Sequence, residues 1–155
     1  MATILIIGYG NRLRSDDGLG VRAAEELSRE GPSADTETVV CHQLAPELAE
    51  NISRVETVLF LDASRVGQPG EIRCTQVNPR PPGFLFAHQL TPEALLSLCC
   101  ELYGVCPEAF EISLCGECFE PGDELSPPAA AALPYLVELA RRFYCKPAET
   151  AETTS

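Results

Sequence analysis

Ile4-Leu5-Ile6-Ile7-Gly8-Tyr9-Gly10-Asn11-Arg12-Leu13-Arg14-Ser15-Asp16-Asp17-Gly18-Leu19-Gly20 runs from a short apolar segment through Gly-x-Gly-Asn into two adjacent carboxylates. The near-continuous apolar run over residues 3–8 suits a strand covered on both faces. The glycines after it suggest a nucleotide loop at first, but the details oppose that. A dinucleotide fingerprint needs a third glycine at position 13, where Leu13 stands, and no Gly-Lys-Ser/Thr of a P-loop follows. A phosphate at this helix entry would also meet Asp16 and Asp17. Carboxylates at that point suit a cation.

The pattern alternates outward from there. Val21, Ala24 and Leu27 recur at helical spacing over about 17–29, and Gly31-Pro32-Ser33 ends that helix. Residues 36–41 read as a strand and 46–54 as a short helix. Residues 57–61 form a second buried-type strand ending at Asp62, and 71–77 a further strand. The proline-rich stretch 78–83 is a loop that leads to His88. Thr91-Pro92-Glu93 then opens a helix with a capping hydroxyl, a first-turn proline and an acid at the positive end, and Gly104 closes it. Residues 111–115 read as a strand. Ser126-Pro127 opens the final helix to about Tyr144, with Pro134 predicted to kink it or mark its start.

Strands alternating with helices predict a three-layer α/β/α domain, a parallel-rich sheet with helices on both faces, over 1–145. The polar tail 146–155 is expected to be disordered. A local repeat, His42-Gln43-Leu44-Ala45-Pro46-Glu47 and His88-Gln89-Leu90-Thr91-Pro92-Glu93, reads as one loop-to-helix cap used twice.

The 155 residues carry 11 Lys and Arg against 23 Asp and Glu, a net charge of −12 that argues against non-specific nucleic-acid binding. No run approaches the roughly 20 apolar residues of a membrane span, and the N-terminal residues do not read as a signal peptide, so the cytoplasm is the expected compartment. Eight cysteines are many. Without secretory features they read mostly as small buried apolar residues rather than a disulfide framework. Cys115-x-x-Cys118 is a weak metal or redox signal and reads as structural.

In a parallel-rich sheet the loops at the carboxyl ends of the strands build the site, and Asp17, Asp62 and His88 all fall there. Two carboxylates and an imidazole suit a borderline divalent cation such as nickel, zinc, manganese or iron and would leave it an open position. Plainer roles stand beside this one: a helix cap for Asp17, a turn for Asp62, a solvated loop histidine for His88. Asp16 reads as capping or solvated, and His42 as a surface or capping residue.

The order Gly-x-Gly-Asn-x-Leu-x-x-Asp-Asp-Gly-x-Gly, followed by Phe60-Leu61-Asp62-Ala63, His88-Gln89-Leu90, and Gly116 with Leu125-Ser126-Pro127, resembles the NiFe-hydrogenase maturation endopeptidases over residues 3 to about 144. The resemblance implies a phosphorylase/hydrolase-like α/β/α fold. It also implies removal of a C-terminal extension from the hydrogenase large-subunit precursor after nickel insertion. It carries the catalytic and metal-ligating roles to Asp17, Asp62 and His88, with nickel supplied by the substrate and another divalent metal able to substitute. Cys41-His42-Gln43-Leu44 replaces the Gly-rich acidic loop of many relatives. That departure is similar to the branch serving bidirectional NAD(P)-linked hydrogenases, and it leaves no catalytic acid assigned to the loop. The competing readings are a non-enzymatic nickel or maturation chaperone and a nucleotide-binding protein.

Overall fold

The computed structural model describes residues 4–31, 35–81 and 90–144. Five strands, β1 (Ile4–Tyr9), β2 (Thr36–Cys41), β3 (Thr57–Ser64), β4 (Ile72–Gln76) and β5 (Glu108–Cys115), form one sheet in the order β2-β1-β3-β5-β4. The first four in that order run parallel, with Gly8 opposite Val40 on one side and Leu61 on the other. Strand β4 closes the edge antiparallel to β5. Among the described residues four α-helices accompany the sheet: α1 (Leu19–Arg29), α2 (Leu48–Ser53), α3 (Pro92–Tyr103) and α4 (Pro127–Tyr144).

Successive strand residues point to opposite faces, so each apolar strand supplies two cores. Ile4, Ile6, Leu59, Leu61, Ile112 and Leu114 pack with Leu19, Ala23 and Leu27 of α1 and Leu136, Val137 and Ala140 of α4. Leu5, Ile7, Val58, Phe60 and Ala109 pack with Ala49 and Ile52 of α2 and Leu95, Leu96 and Cys99 of α3. The three-layer α/β/α architecture read from the sequence is the one observed. Among the described residues no helix is long and apolar enough to cross a membrane.

Several boundaries differ from the sequence reading. Residues Ser15–Gly18 form a 3₁₀ turn, and the α-helix starts only at Leu19. Strand β3 does not stop at Asp62 but continues to Ser64, because β5 pairs with it as far as Ser64 opposite Cys115. Pro134 lies inside α4 rather than starting it. The carbonyl it leaves without a donor belongs to exposed Ala130, where water can replace the lost bond. The α3 caps are as read: Thr91 Oγ1 accepts from Ala94 N at 3.1 Å, and Gly104 takes φ 71°. The matching stretch before α2 has Ala45 where Thr91 stands, and no side chain caps that helix, so the repeat is a shared cap only in its second copy.

The cysteines depart furthest from expectation. Cys100 and Cys106 are joined in a disulfide across the turn between α3 and β5. Among the described free cysteines only Cys99 and Cys115 are buried, and Cys74 is exposed. Strand β4 is an edge strand with residues Arg73–Gln76 exposed, which leaves Cys74 no core to enter.

Candidate active site

The two adjacent acids of the first loop have opposite surroundings. Asp16 is fully buried. Its Oδ2 accepts from Glu117 N (2.7 Å), Cys118 N (3.0 Å) and the Ser126 hydroxyl (2.7 Å), and its Oδ1 accepts from Ser126 N (2.8 Å). Burial alone would push its carboxyl upward, but these hydrogen bonds outweigh it and hold the pKa below the ordinary value. Gly116 is required beside it, since a Cβ there would lie 2.6 Å from Asp16 Cβ. Asp16 is therefore neither solvated nor a helix cap; it ties the first loop to the segment between β5 and α4. Asp17 is half-buried, receives Asn11 N at 2.8 Å on Oδ2, and lines a cavity.

Glycines set the distance between the elements. A Cβ on Gly8 would lie 2.3 Å from Gly20 O, and one on Gly20 would lie 2.1 Å from Leu61 O. The backbones of β1, α1 and β3 thus touch directly, and the start of α1 sits on the strand ends. Gly10 has φ 139°, a region L-residues avoid, and brings its Cα against the Asp17 carbonyl. The sequence spacing of these glycines is for close backbone approach, not for cradling a phosphate.

Asp62 faces the same cavity from β3. Its Oδ1 accepts from Ala63 N at 2.7 Å and its Oδ2 from the Tyr9 hydroxyl at 3.1 Å. Burial and the neighbouring Glu111 carboxylate push Asp62 up to about 7, against the pull of those two hydrogen bonds, with Asp17 adding a smaller upward push. Burial, then the Asp62 and Glu111 charges, drive the Tyr9 phenol upward, so it stays a donor. Glu111 is itself raised by burial and by Glu93, against the pull of a hydrogen bond from the Tyr9 hydroxyl.

The cavity, about 250 Å³, is lined by Tyr9, Gly10, Asp17, His42, Gln43, Leu44, Asp62, Ala63 and Leu90. It opens at the carboxyl ends of β1, β2 and β3, at the point where strand order turns from β2-β1 to β3, the usual crevice of a parallel sheet. No Lys or Arg is among these lining residues. Among the described lining residues two carboxylates stand without a Lys or Arg, which gives the cavity a negative field and disfavours a nucleotide phosphate. Both repeat copies reach it, through Leu44 and Leu90.

Of the three residues singled out from the sequence, the fold brings Asp17 and Asp62 to one cavity, and His88 lies outside the described residues. Among the described residues no three His, Cys, Asp or Glu side chains gather to hold a metal ion. His42, set aside as a surface residue, is exposed and also lines the cavity. Cys115 and Cys118 are engaged elsewhere: the Cys115 thiol points to Gly116 O, and Cys118 N serves Asp16. Sequence reasoning missed Tyr9 and Glu111. The signal was the period of two along each strand: Leu5, Ile7, Tyr9 share a face, as do Phe60 with Asp62 and Ala109 with Glu111.

No family model matches the sequence, and no curated protein aligns with it significantly. Solved structures do match over nearly the whole chain. The hydrogenase maturating endopeptidase HybD from E. coli superposes with a TM-score of 0.76 at 24% identity, covering 93% of this chain and 94% of its own. The hydrogenase maturation protease HycI from Thermococcus kodakarensis gives 0.76 at 24% identity, covering 94% of each chain. A hydrogenase 2 maturation peptidase from a Thaumarchaeota archaeon gives 0.68 at 25% identity, covering 91% of this chain and 97% of its own. Over more than nine-tenths of its length, this chain has the fold of the hydrogenase maturation proteases.

Proposed function

We propose that this chain is an endopeptidase of the NiFe-hydrogenase maturation type, which removes the C-terminal extension of a large-subunit precursor once nickel has been inserted. The observation that carries the reading is the convergence of Asp17 and Asp62, from separate elements, on one cavity whose described lining holds no cation. Such a site repels anions and gains from a divalent ion brought by its substrate. The fold shared with the maturation proteases supports the same reading.

In this proposal Asp17, Asp62 and His88 grip the nickel that the precursor carries. Leu90 lines the cavity and His88 lies two residues before it in the chain, a reach of at most about 7 Å along the backbone. The nickel, or another divalent ion in its place, would when bound polarise the scissile carbonyl and acidify a water. The chain supplies orientation: Asn11 N fixes the Asp17 carboxylate, and Ala63 N with the Tyr9 hydroxyl fixes that of Asp62. A precursor without nickel would leave the two carboxylates facing each other uncompensated, so discrimination follows from the charge of the empty cleft. The reaction takes place where the precursor is made, in the cytoplasm, and uses no membrane or nucleic-acid partner.

The test is incubation of the purified chain with nickel-loaded and nickel-free precursor, read by mass spectrometry. Loss of the extension from the loaded form alone is expected. Nickel transfer without mass loss would favour the chaperone reading instead. Asp17→Ala, Asp62→Ala and His88→Ala should each stay folded and leave the precursor uncut; normal cutting by all three would overturn the proposal.

A further inference from the structure

We infer that Tyr9 is the positioning residue of this site, its hydroxyl holding the Asp62 carboxylate in the orientation that meets the substrate's metal; the inference rests on the function proposed above. Tyr9 is the last residue of β1, on the face that carries Leu5 and Ile7 into the core. The register that sets Gly8 opposite Leu61 brings Tyr9 beside Asp62 on that face. Its ring meets Phe60 edge-on, centroids 6.5 Å apart at 90°, so the aromatic body is held by packing. Its hydroxyl reaches beyond the core and donates to Asp62 Oδ2 at 3.1 Å, with the Glu111 carboxylate also within hydrogen-bonding reach of the same group.

Asp62 Oδ1 is already taken by Ala63 N at 2.7 Å. With both oxygens held, the plane of the carboxyl group is fixed, and the phenol adds no countercharge to it. Remove the hydroxyl and one anchor remains, with the Glu111 carboxylate near enough to repel the freed oxygen. Partners that orient a metal-binding carboxylate contribute to affinity without touching the metal, and their loss typically weakens it by about 10- to 100-fold.

Tyr9→Phe keeps the ring and its contact with Phe60 and deletes only the donor. In the full chain, calorimetric titration with nickel chloride is expected to show affinity weakened by about 10- to 100-fold. The apparent KM for nickel-loaded precursor should rise with it, and kcat should change less. A merely structural hydroxyl would alter the melting temperature but not this split. Cutting by the wild-type chain tests the proposed function; the ratio of variant to wild type tests Tyr9. Unchanged nickel affinity and unchanged KM in a folded Tyr9→Phe protein would overturn the inference. A second measurement uses Asp62→Ala as background: there Tyr9→Phe should have no further effect on nickel binding. An undiminished effect in that background would show that Tyr9 acts through something other than Asp62 and would also overturn it.

Discussion

Asp16 and Ser126, 110 residues apart, are joined twice, through the Ser126 hydroxyl and through its backbone N–H. Together with Glu117 N and Cys118 N they make a buried carboxylate the meeting point of the first loop and the entry to α4. Asp16→Asn puts an NH₂ group against donors that need an acceptor, so it should cost about 3–5 kcal/mol, as breaking a buried charged network does. Urea unfolding measures it. The depressed pKa fixes the pH sign. The stabilisation is complete above the ordinary carboxylate value and is lost as pH falls through the lower folded-state value. Wild type should therefore lose stability toward acid more steeply than Asp16→Asn. Equal slopes would deny the carboxylate this role.

Asp17, the next residue, should behave in the opposite way. It is half-buried and accepts one hydrogen bond, from Asn11 N. Asp17→Asn retains an acceptor for that bond and should move stability by less than about 1 kcal/mol. Processing of loaded precursor should nonetheless be abolished. Two neighbouring acids would then separate into one that keeps the loop folded and one that the substrate meets.

Asp62 gives a pH signature of the reverse sign to that of Asp16. Its folded-state pKa stands at about 7 against an ordinary 3.8, so the folded protein holds this proton more tightly than the unfolded chain. That contribution is complete at pH below the ordinary carboxylate value, and it is lost as pH rises toward and through about 7. Asp62→Asn removes the ionisation. The melting temperature of Asp62→Asn relative to wild type, measured with a chelator present, should therefore climb between about pH 4 and pH 7 and level off above it. A constant difference across that range would mean that Asp62 titrates as an ordinary surface acid.

The layers of the fold were legible in the sequence because fully buried strands are apolar without interruption and helices are not. The same uninterrupted apolarity hides the faces: nothing in Ile4–Ile7 says which side chains meet α1 and which meet α3, so the pattern does not point to Tyr9 and Glu111 as it points to Asp62. Asp62 was legible as a carboxylate at the end of an apolar run, where burial without a polar crevice is costly, and Asp17 as an acid in the loop that leads into the first helix. The buried tie that Asp16 makes was not, because it depends on partners more than 100 residues away. The Cys100–Cys106 bond was likewise closed by the turn after α3 and not by any spacing rule.

Gly20 offers the sharpest test of how the site is spaced. It lies in the first turn of α1, where replacing glycine by alanine ordinarily stabilises a helix by about 0.5–1 kcal/mol. Here the added methyl would sit 2.1 Å from the Leu61 carbonyl oxygen, a backbone atom of β3 that cannot turn aside. Relief requires α1 to lift off the sheet, which moves the turn carrying Asp17 away from Asp62, the residue after Leu61. Gly20→Ala should thus destabilise by about 2–3 kcal/mol, the cost of overpacking, and should lower precursor processing along with nickel affinity. Ser28→Ala, exposed further along the same helix, should change stability by less than about 0.5 kcal/mol and leave processing intact. A Gly20→Ala protein as stable and active as wild type would mean that the contact between α1 and β3 does not set the distance between the two carboxylates.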